Sequence, residues 1–249
     1  PGYTFHRAAA RDTLRLAGWP GAGVARAEGD DVVRAADDLA AVGLDEDATS
    51  LLSRLRSGGA GSLGRGDAAA VLAGARRAYA MGRVHLGVTL ARRAVELTTG
   101  EWPFVPWAFP PAYASLIAAR RDTSLEPALL HAVVMQESRF EPRARSRSNA
   151  LGLMQLKLGT AADMAKLLRE PTPTEAALFE PERNLRYGSR YLAWLLRRTD
   201  GSVAAALCAY NAGPSRLVAG WRDLRERGGA ALLCELASNP LAQDYARRI

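Results

Sequence analysis

The chain has 249 residues, of which 48% are hydrophobic, 24% charged and 7% aromatic, a profile that excludes a disordered chain. Thirty-three basic against 26 acidic side chains leave a net charge of +7, which favours polyanionic partners in general and selects none. No apolar run approaches the roughly 20 residues of a membrane-spanning helix, so no transmembrane segment is expected.

The first residues, Pro1 to Arg15, lack the apolar core of an export signal, so any such signal is expected upstream of this sequence. Strand patterns are nearly missing; Ala, Leu and Arg dominate, and the chain reads as helix after helix. Short helices are expected over Ala8–Ala17, Asp31–Val42 and Asp47–Leu55. The Gly58-Gly59-Ala60-Gly61 run, with Gly64 and Gly66, reads as a loop. Longer amphipathic helices follow over Asp67–Met81 and His85–Leu97, with Val71, Leu72, Ala75 and Tyr79 on one face. Successive pairs of this kind suggest an α-helical hairpin array.

Prolines and aromatics then alternate from Trp102 to Pro111, which should end the helices and form an extended, packed connection. The domain boundary is placed there, giving a helical scaffold over 1–108 and a second domain over 109–249. The two cysteines, Cys208 and Cys234, make neither a disulfide framework nor a metal set; an oxidising compartment would allow one bridge between them, which the spacing does not establish. The histidines, His6, His85 and His131, form no ligand motif, and no metal or cofactor is expected.

In the second domain, Pro127 suits the first position of a helix running on from Ala128 to Arg139. Leu130, Val133, Val134 and Glu137 recur at i, i+3, i+4 and i+7, so a carboxyl ends an apolar stripe. A carboxyl against an apolar wall favours its protonated form and can act as a general acid. Two plainer readings of the spacing stand beside it: a surface position at a frayed helix end, or pairing with a nearby arginine. A polar loop from Arg143 to Asn149 follows, and a new element begins at Ala150-Leu151-Gly152-Leu153-Met154-Gln155-Leu156. Asn184-Leu185-Arg186-Tyr187-Gly188 leads into a helix to about Arg198. An apolar helix from Val203 ends in Ala209-Tyr210-Asn211-Ala212-Gly213-Pro214. Glycine-marked turns place Gln155, Tyr210 and Asn211 at helix edges.

Four ordered motifs, the Glu137-Ser138 helix end, Gly152-Leu153-Met154-Gln155, Asn184 to Gly188, and Ala209 to Pro214, closely resemble those of the SLT-domain lytic transglycosylases of bacterial cell walls. That family is similar in fold to goose-type lysozyme. The resemblance covers about Phe109 to the C-terminus, and it implies an all-α chain: a lysozyme-like catalytic domain preceded by an α-helical hairpin or superhelical region. Carried over residue by residue, it makes Glu137 the sole catalytic acid and base. Ser146 and Gln155 would hold the N-acetyl group and the sugar, Met154 would line the groove, Tyr210 would stand by the reacting sugar, and Asn211 would support its turn. The implied substrate is the peptidoglycan glycan strand, cut without water to leave 1,6-anhydro ends, outside the cytoplasm in the periplasm or at the outer membrane. Cell-wall machinery could dock on the N-terminal helices; nucleic acid is not an expected partner, since no recognition motif accompanies the arginines.

The chain departs from the family pattern at Lys157-Leu158, where a proline is usual, at Asn149, where glycine is common, and at Leu241, where an acidic residue often stands. These positions bear on outer subsites and on glycan or stem-peptide preference. Two other functions fit the same residues: hydrolysis at the same site, as in a goose-type lysozyme, and a helical module that binds glycan without turnover.

Overall fold

The computed structural model describes residues 31–41, 43–56, 68–100, 103–120 and 125–214. The helix expected over Ala8–Ala17, the Gly58–Gly66 loop, Trp102, Cys234 and Leu241 lie outside the described residues. Ten α-helices make up the described chain, with only isolated β-bridges pairing Arg145 with Leu151 and Leu151 with Leu156. No helix among the described residues is long and apolar enough to cross a membrane. Contacts divide the chain into two compact units. One runs through Ser115 and takes in Arg139–Glu141; the other holds Leu116–Ser138 and the chain from Pro142 on.

The first unit contains α1 (Asp31–Ala41), α2 (Asp45–Ser53), α3 (Ala68–Ala80) and α4 (Val84–Leu97). The α1, α3 and α4 bounds fall close to the expected ones. α2 gives way to a 3-10 turn at Arg54–Arg56. Helices α3 and α4 pack against each other as an antiparallel hairpin. Val71, Ala75, Ala78 and Tyr79 of α3 are buried, as are Val84, Val88, Ala91 and Ala94 of α4. These recur every three or four residues, which turns one apolar face of each helix inward. The connection turns at Gly82, whose φ of +70° suits a residue without a Cβ. There the Gly82 amide donates to the Tyr79 carbonyl and the Arg83 amide to that of Ala78. Ion pairs add to the packing: Arg77 with Asp37 at 2.6 Å, and Arg83 with Glu46.

The proline-aromatic run is not extended as expected. Val105–Ala108 winds into a 3-10 turn with Pro106 near its start, where the missing N–H costs nothing. Trp107 is buried, stacked 6.4 Å from Tyr79 with the Arg76 guanidinium 4.4 Å from its ring centre. The Tyr79 hydroxyl donates to the Trp107 carbonyl. Phe109, by contrast, is 57% exposed.

After the short α5 (Ala114–Ala118), the second unit contains α6 (Pro127–Ser138), α7 (Leu158–Leu167), α8 (Glu175–Leu178), α9 (Pro181–Arg198) and α10 (Val203–Ala212). Helix α9 is the hub, packing against α7, α8 and α10. Its Leu185, Leu192 and Leu195 are fully buried, while Arg183 and Arg186 on the other side pair with Glu180 and Glu170. Helix α10 starts at Ser202, whose hydroxyl accepts from the Ala205 amide, and it stops at Gly213 with φ +92°. Helices α5 and α8, of five and four residues, are too short to show a period. Ala150–Leu156, which reads as the start of a new element, is a closed turn, with α7 beginning only after it.

Candidate active site

Helix α6 carries the first site residue. Leu130, Val133, Val134 and Met135 are buried, and Glu137, one turn past Val134 on the same stripe, is half-buried at the helix end. The next side chain, Ser138, is buried and donates to the Val134 carbonyl in its own helix and to the Leu153 carbonyl at 2.8 Å. Helix α6 then ends abruptly, because Arg139 and Phe140 both take positive φ, +49° and +62°. That conformation disfavours further right-handed turns in L-residues.

The segment from Ala144 to Leu156 folds back on itself. Leu151 and Leu156 exchange both backbone hydrogen bonds, at 2.9 and 3.0 Å, closing Gly152–Gln155 into a four-residue turn. The Gly152 amide donates to the Ala144 carbonyl, pinning the turn to the preceding loop. Ser146 closes that loop: its amide donates to the Ala150 carbonyl, and its hydroxyl accepts from the Ala150 amide. Gly152 has φ +74°, and a Cβ there would overlap the Asn184 amide and the Leu178 carbonyl. The turn therefore has room for no other residue.

Gln155 also has a left-handed backbone, φ +47°, and its own side chain holds it there. Its Nε2 donates to the carbonyls of Gly152 at 3.0 Å and Ala144 at 3.2 Å. Among the described residues its Oε1 accepts nothing, so an acceptor is left at the half-exposed end of the side chain. Met154, expected to line a groove, has no exposed surface and packs its sulfur over Gly188 of α9. A thioether fills the gap left by a missing Cβ, so in this structure Met154 is core.

Tyr210, in the last turn of α10, donates its hydroxyl to the Met154 carbonyl at 2.7 Å. Burial pushes that phenol well above its ordinary value, and the nearby Glu137 carboxylate and Tyr191 raise it further. A neutral phenol beside a carboxyl is the consequence. Tyr191 of α9 lies 5.2 Å from Tyr210, ring centre to ring centre, and burial pushes its own phenol up to about 12. Asn211 is exposed in the last turn of α10.

The structure thus brings Glu137, Gln155 and Tyr210 together around one turn, places Ser146 in the loop that abuts it, buries Met154 beneath it, and leaves Asn211 at its edge. Asn184 and Ser138, which stand in the motifs but carry no role in the sequence reading, turn out to bond the turn directly. The available signal was a polar residue in an apolar register: Asn184 is in line with Gly188, Tyr191, Leu192 and Leu195 on α9. Among the described residues no group of three or more His, Cys, Asp or Glu side chains is placed to hold a metal ion.

Residues 115–230 match the model of the transglycosylase SLT domain family. The soluble lytic murein transglycosylase of Salmonella typhimurium is 33% identical over 118 residues, which are 47% of this chain and 18% of that protein. Membrane-bound lytic murein transglycosylase C of Edwardsiella ictaluri is 37% identical over 98 residues, 36% of this chain and 27% of that one. Among solved structures, an inactive mutant of lytic transglycosylase Slt from Pseudomonas aeruginosa superposes with a TM-score of 0.66 at 22% identity, covering 98% of this chain and 41% of the other. The 70 kDa soluble lytic transglycosylase of Escherichia coli gives 0.56 at 22% identity, covering 98% and 49%. This chain therefore spans about a fifth of the first curated relatives and under half of those solved chains. The structural likeness gives the fold, all-α with a lysozyme-like helical domain.

Proposed function

On the match of residues 115–230 to the transglycosylase SLT domain, we propose that this chain is a lytic murein transglycosylase that cuts the β-1,4 bond between N-acetylmuramic acid and N-acetylglucosamine. The observation that carries the reading is Glu137: a carboxyl at the end of the apolar stripe of α6, half-buried and close enough to Tyr210 for its charge to raise the phenol. In this reading residues 1–108 are the helical scaffold and 109–249 the catalytic domain. The site of action lies outside the cytoplasm, where peptidoglycan is.

Protonated Glu137 gives its proton to the glycosidic oxygen as the bond to the anomeric carbon breaks. A second carboxylate would ordinarily stabilise that carbon. Here the 2-acetamido oxygen of the muramic acid attacks it and forms an oxazolinium ring. The C6 hydroxyl of the same sugar then attacks the anomeric carbon, the oxazolinium opens back to the acetamide, and the hydroxyl proton passes to Glu137. No water is consumed, a 1,6-anhydro ring is left, and the glutamic acid is regenerated. The unbonded Oε1 of Gln155 can accept from the acetamide N–H or a sugar hydroxyl, and Ser146 faces the same loop. Tyr210 contributes its ring and a neutral phenol to the wall beside Glu137, and Asn211 flanks it.

Digestion of purified sacculi, with mass spectrometry of the released muropeptides, tests this. Anhydro ends are expected. Reducing ends would point to a hydrolase, and retained binding without release to a glycan-binding module. Glu137→Gln keeps size and removes the proton, so release should fall by at least about a hundredfold with an unchanged melting temperature. Equal release by that variant would remove Glu137 from the chemistry.

A further inference from the structure

Asn184 has no exposed surface, and its amide is fully engaged with main chain. Its Nδ2 donates to the Leu151 carbonyl at 2.9 Å and the Leu178 carbonyl at 2.7 Å, and its Oδ1 accepts from the Met154 amide at 2.7 Å. Two of these partners flank the Gly152–Gln155 turn or lie within it. The carbonyl of Met154 is taken by the Tyr210 hydroxyl and that of Leu153 by Ser138, the neighbour of Glu137. Met154 of the turn is thus gripped from α9 at its N–H and from α10 at its C=O. The left-handed Gln155 follows directly, so its placement depends on how that grip is set.

We infer that Asn184 is a positioning residue for the reaction: through the backbone of Met154 it fixes both Gln155 and the carbonyl that accepts from the Tyr210 hydroxyl beside Glu137. The inference rests on the reading of the site as a transglycosylase centre. It goes beyond that reading in giving a buried residue that touches no substrate a part in the turnover rate. Only an amide fits the role at neutral pH, since the site asks for two donors and one acceptor from one planar group. An ionised aspartate would present oxygen to two carbonyls, whereas a protonated one could return one of the two donors.

The test is Asn184→Asp, compared with the wild-type chain for muropeptide release from sacculi. Rates are taken per folded molecule, well below the melting temperature of both, with circular dichroism fixing the folded fraction. At neutral pH kcat/KM should fall at least tenfold, and the ratio of variant to wild type should climb as the pH is lowered and the new carboxyl takes up its proton. A purely structural Asn184 would lower the melting temperature and leave the rate per folded molecule, and its pH profile, as in the wild type; that result overturns the inference. If Asn184→Asp does not fold, Asn184→Ser is measured in the same way, and failure of both to fold makes Asn184 a folding residue and ends the inference. A wild-type chain that releases nothing overturns the functional reading and this inference together; an active wild type with an unimpaired variant overturns this inference alone.

Discussion

The Ala68–Leu97 hairpin and the Leu151–Leu156 turn both bury most of their apolar side chains, and they are held by different means. In the hairpin the backbone is satisfied inside each helix away from its ends, and what meets across the interface is Val71, Ala75, Val88, Leu90 and Ala91, all without exposed surface. In the turn the backbone has no helix to satisfy it. Backbone pairs join Leu151 to Leu156 and Gly152 to Ala144, and side chains meet others: Ser138 on Leu153, Asn184 on Leu151 and Met154 and Tyr210 on Met154 from elsewhere in the chain, and Gln155 on Gly152 from within the turn. A packed interface loses stability in proportion to what is removed and can relax around it. A backbone held by buried hydrogen bonds fails when one partner moves, because the group left behind is desolvated and unpaired. The difference separates a region that carries structure from one that carries geometry.

Gly152→Ala should give the largest effect on stability. Its Cβ would occupy the place of the Asn184 amide and the Leu178 carbonyl, at a backbone angle that disfavours L-residues. The left-handed conformation costs about 1–2 kcal/mol and each buried partner left unpaired a further ~1–3 kcal/mol, in all about 4 kcal/mol or more. Urea unfolding of the variant should show that loss, and activity per folded molecule should fall with it. A variant as stable and active as wild type would mean that the turn is not gripped as described.

Leu90→Ala sharpens the contrast from the other side. Leu90 is fully buried in α4, and removing it should cost about 2–5 kcal/mol through lost burial and an unfilled cavity. Muropeptide release per folded molecule should stay at the wild-type rate, since Leu90 belongs to the other compact unit from the Gly152–Gln155 turn. A matching drop in rate would show that the hairpin does more than support.

These two positions also mark what the sequence could and could not reveal. Helical spacing predicts the hairpin almost to its ends, because apolar periodicity is a property of one segment read alone. Glu137 stands out for the same reason, a carboxyl where the period asks for an apolar residue. The grip on the turn has no such local signature. Asn184 is 30 residues from Met154, and Tyr210 is 56 away. Which carbonyl each meets is decided by tertiary packing. The family resemblance implies a groove position for Met154, yet its side chain is buried over Gly188, where the absent Cβ leaves room for it. The turn reads as the start of an element because its leucines and methionine are apolar, while the positive φ of Gly152 and Gln155 is invisible in composition.

Tyrosines cut across the contrast. Burial raises the phenols of Tyr79 in the hairpin and of Tyr191 and Tyr210 at the site, that of Tyr191 to about 12. A folded value above the unfolded one, about 10, means that the contribution is whole below pH ~10 and is lost as the pH rises through the folded value. For Tyr191 the loss amounts to about 1.4 kcal/mol at about pH 11. Tyr191→Phe should therefore lose less stability than wild type between about pH 10 and 12. Parallel alkaline profiles for the two chains would place Tyr191 in contact with water.

The smallest effect should come from the pair of Arg145, on the segment that leads into the turn, and Glu175, at the start of α8, whose Nη2 and Oε2 atoms lie 2.7 Å apart. The hydrogen bond from Arg145 holds the Glu175 carboxyl below its ordinary range and raises the guanidinium in return. Both side chains are more than two-fifths exposed, so water and salt screen the charges, and ordering two long side chains offsets much of what remains. Sign and window follow from the lowered carboxyl: any contribution is present above the unfolded carboxylate value and disappears as the pH falls through the folded one. Glu175→Gln and wild type should accordingly melt within about one degree of each other at neutral pH, and raising the salt should close even that gap. A clear loss at neutral pH in high salt would mean that the loop around Ser146 leans on this pair, and that the hydrogen-bonded region extends out to the surface instead of ending at the buried amide of Asn184.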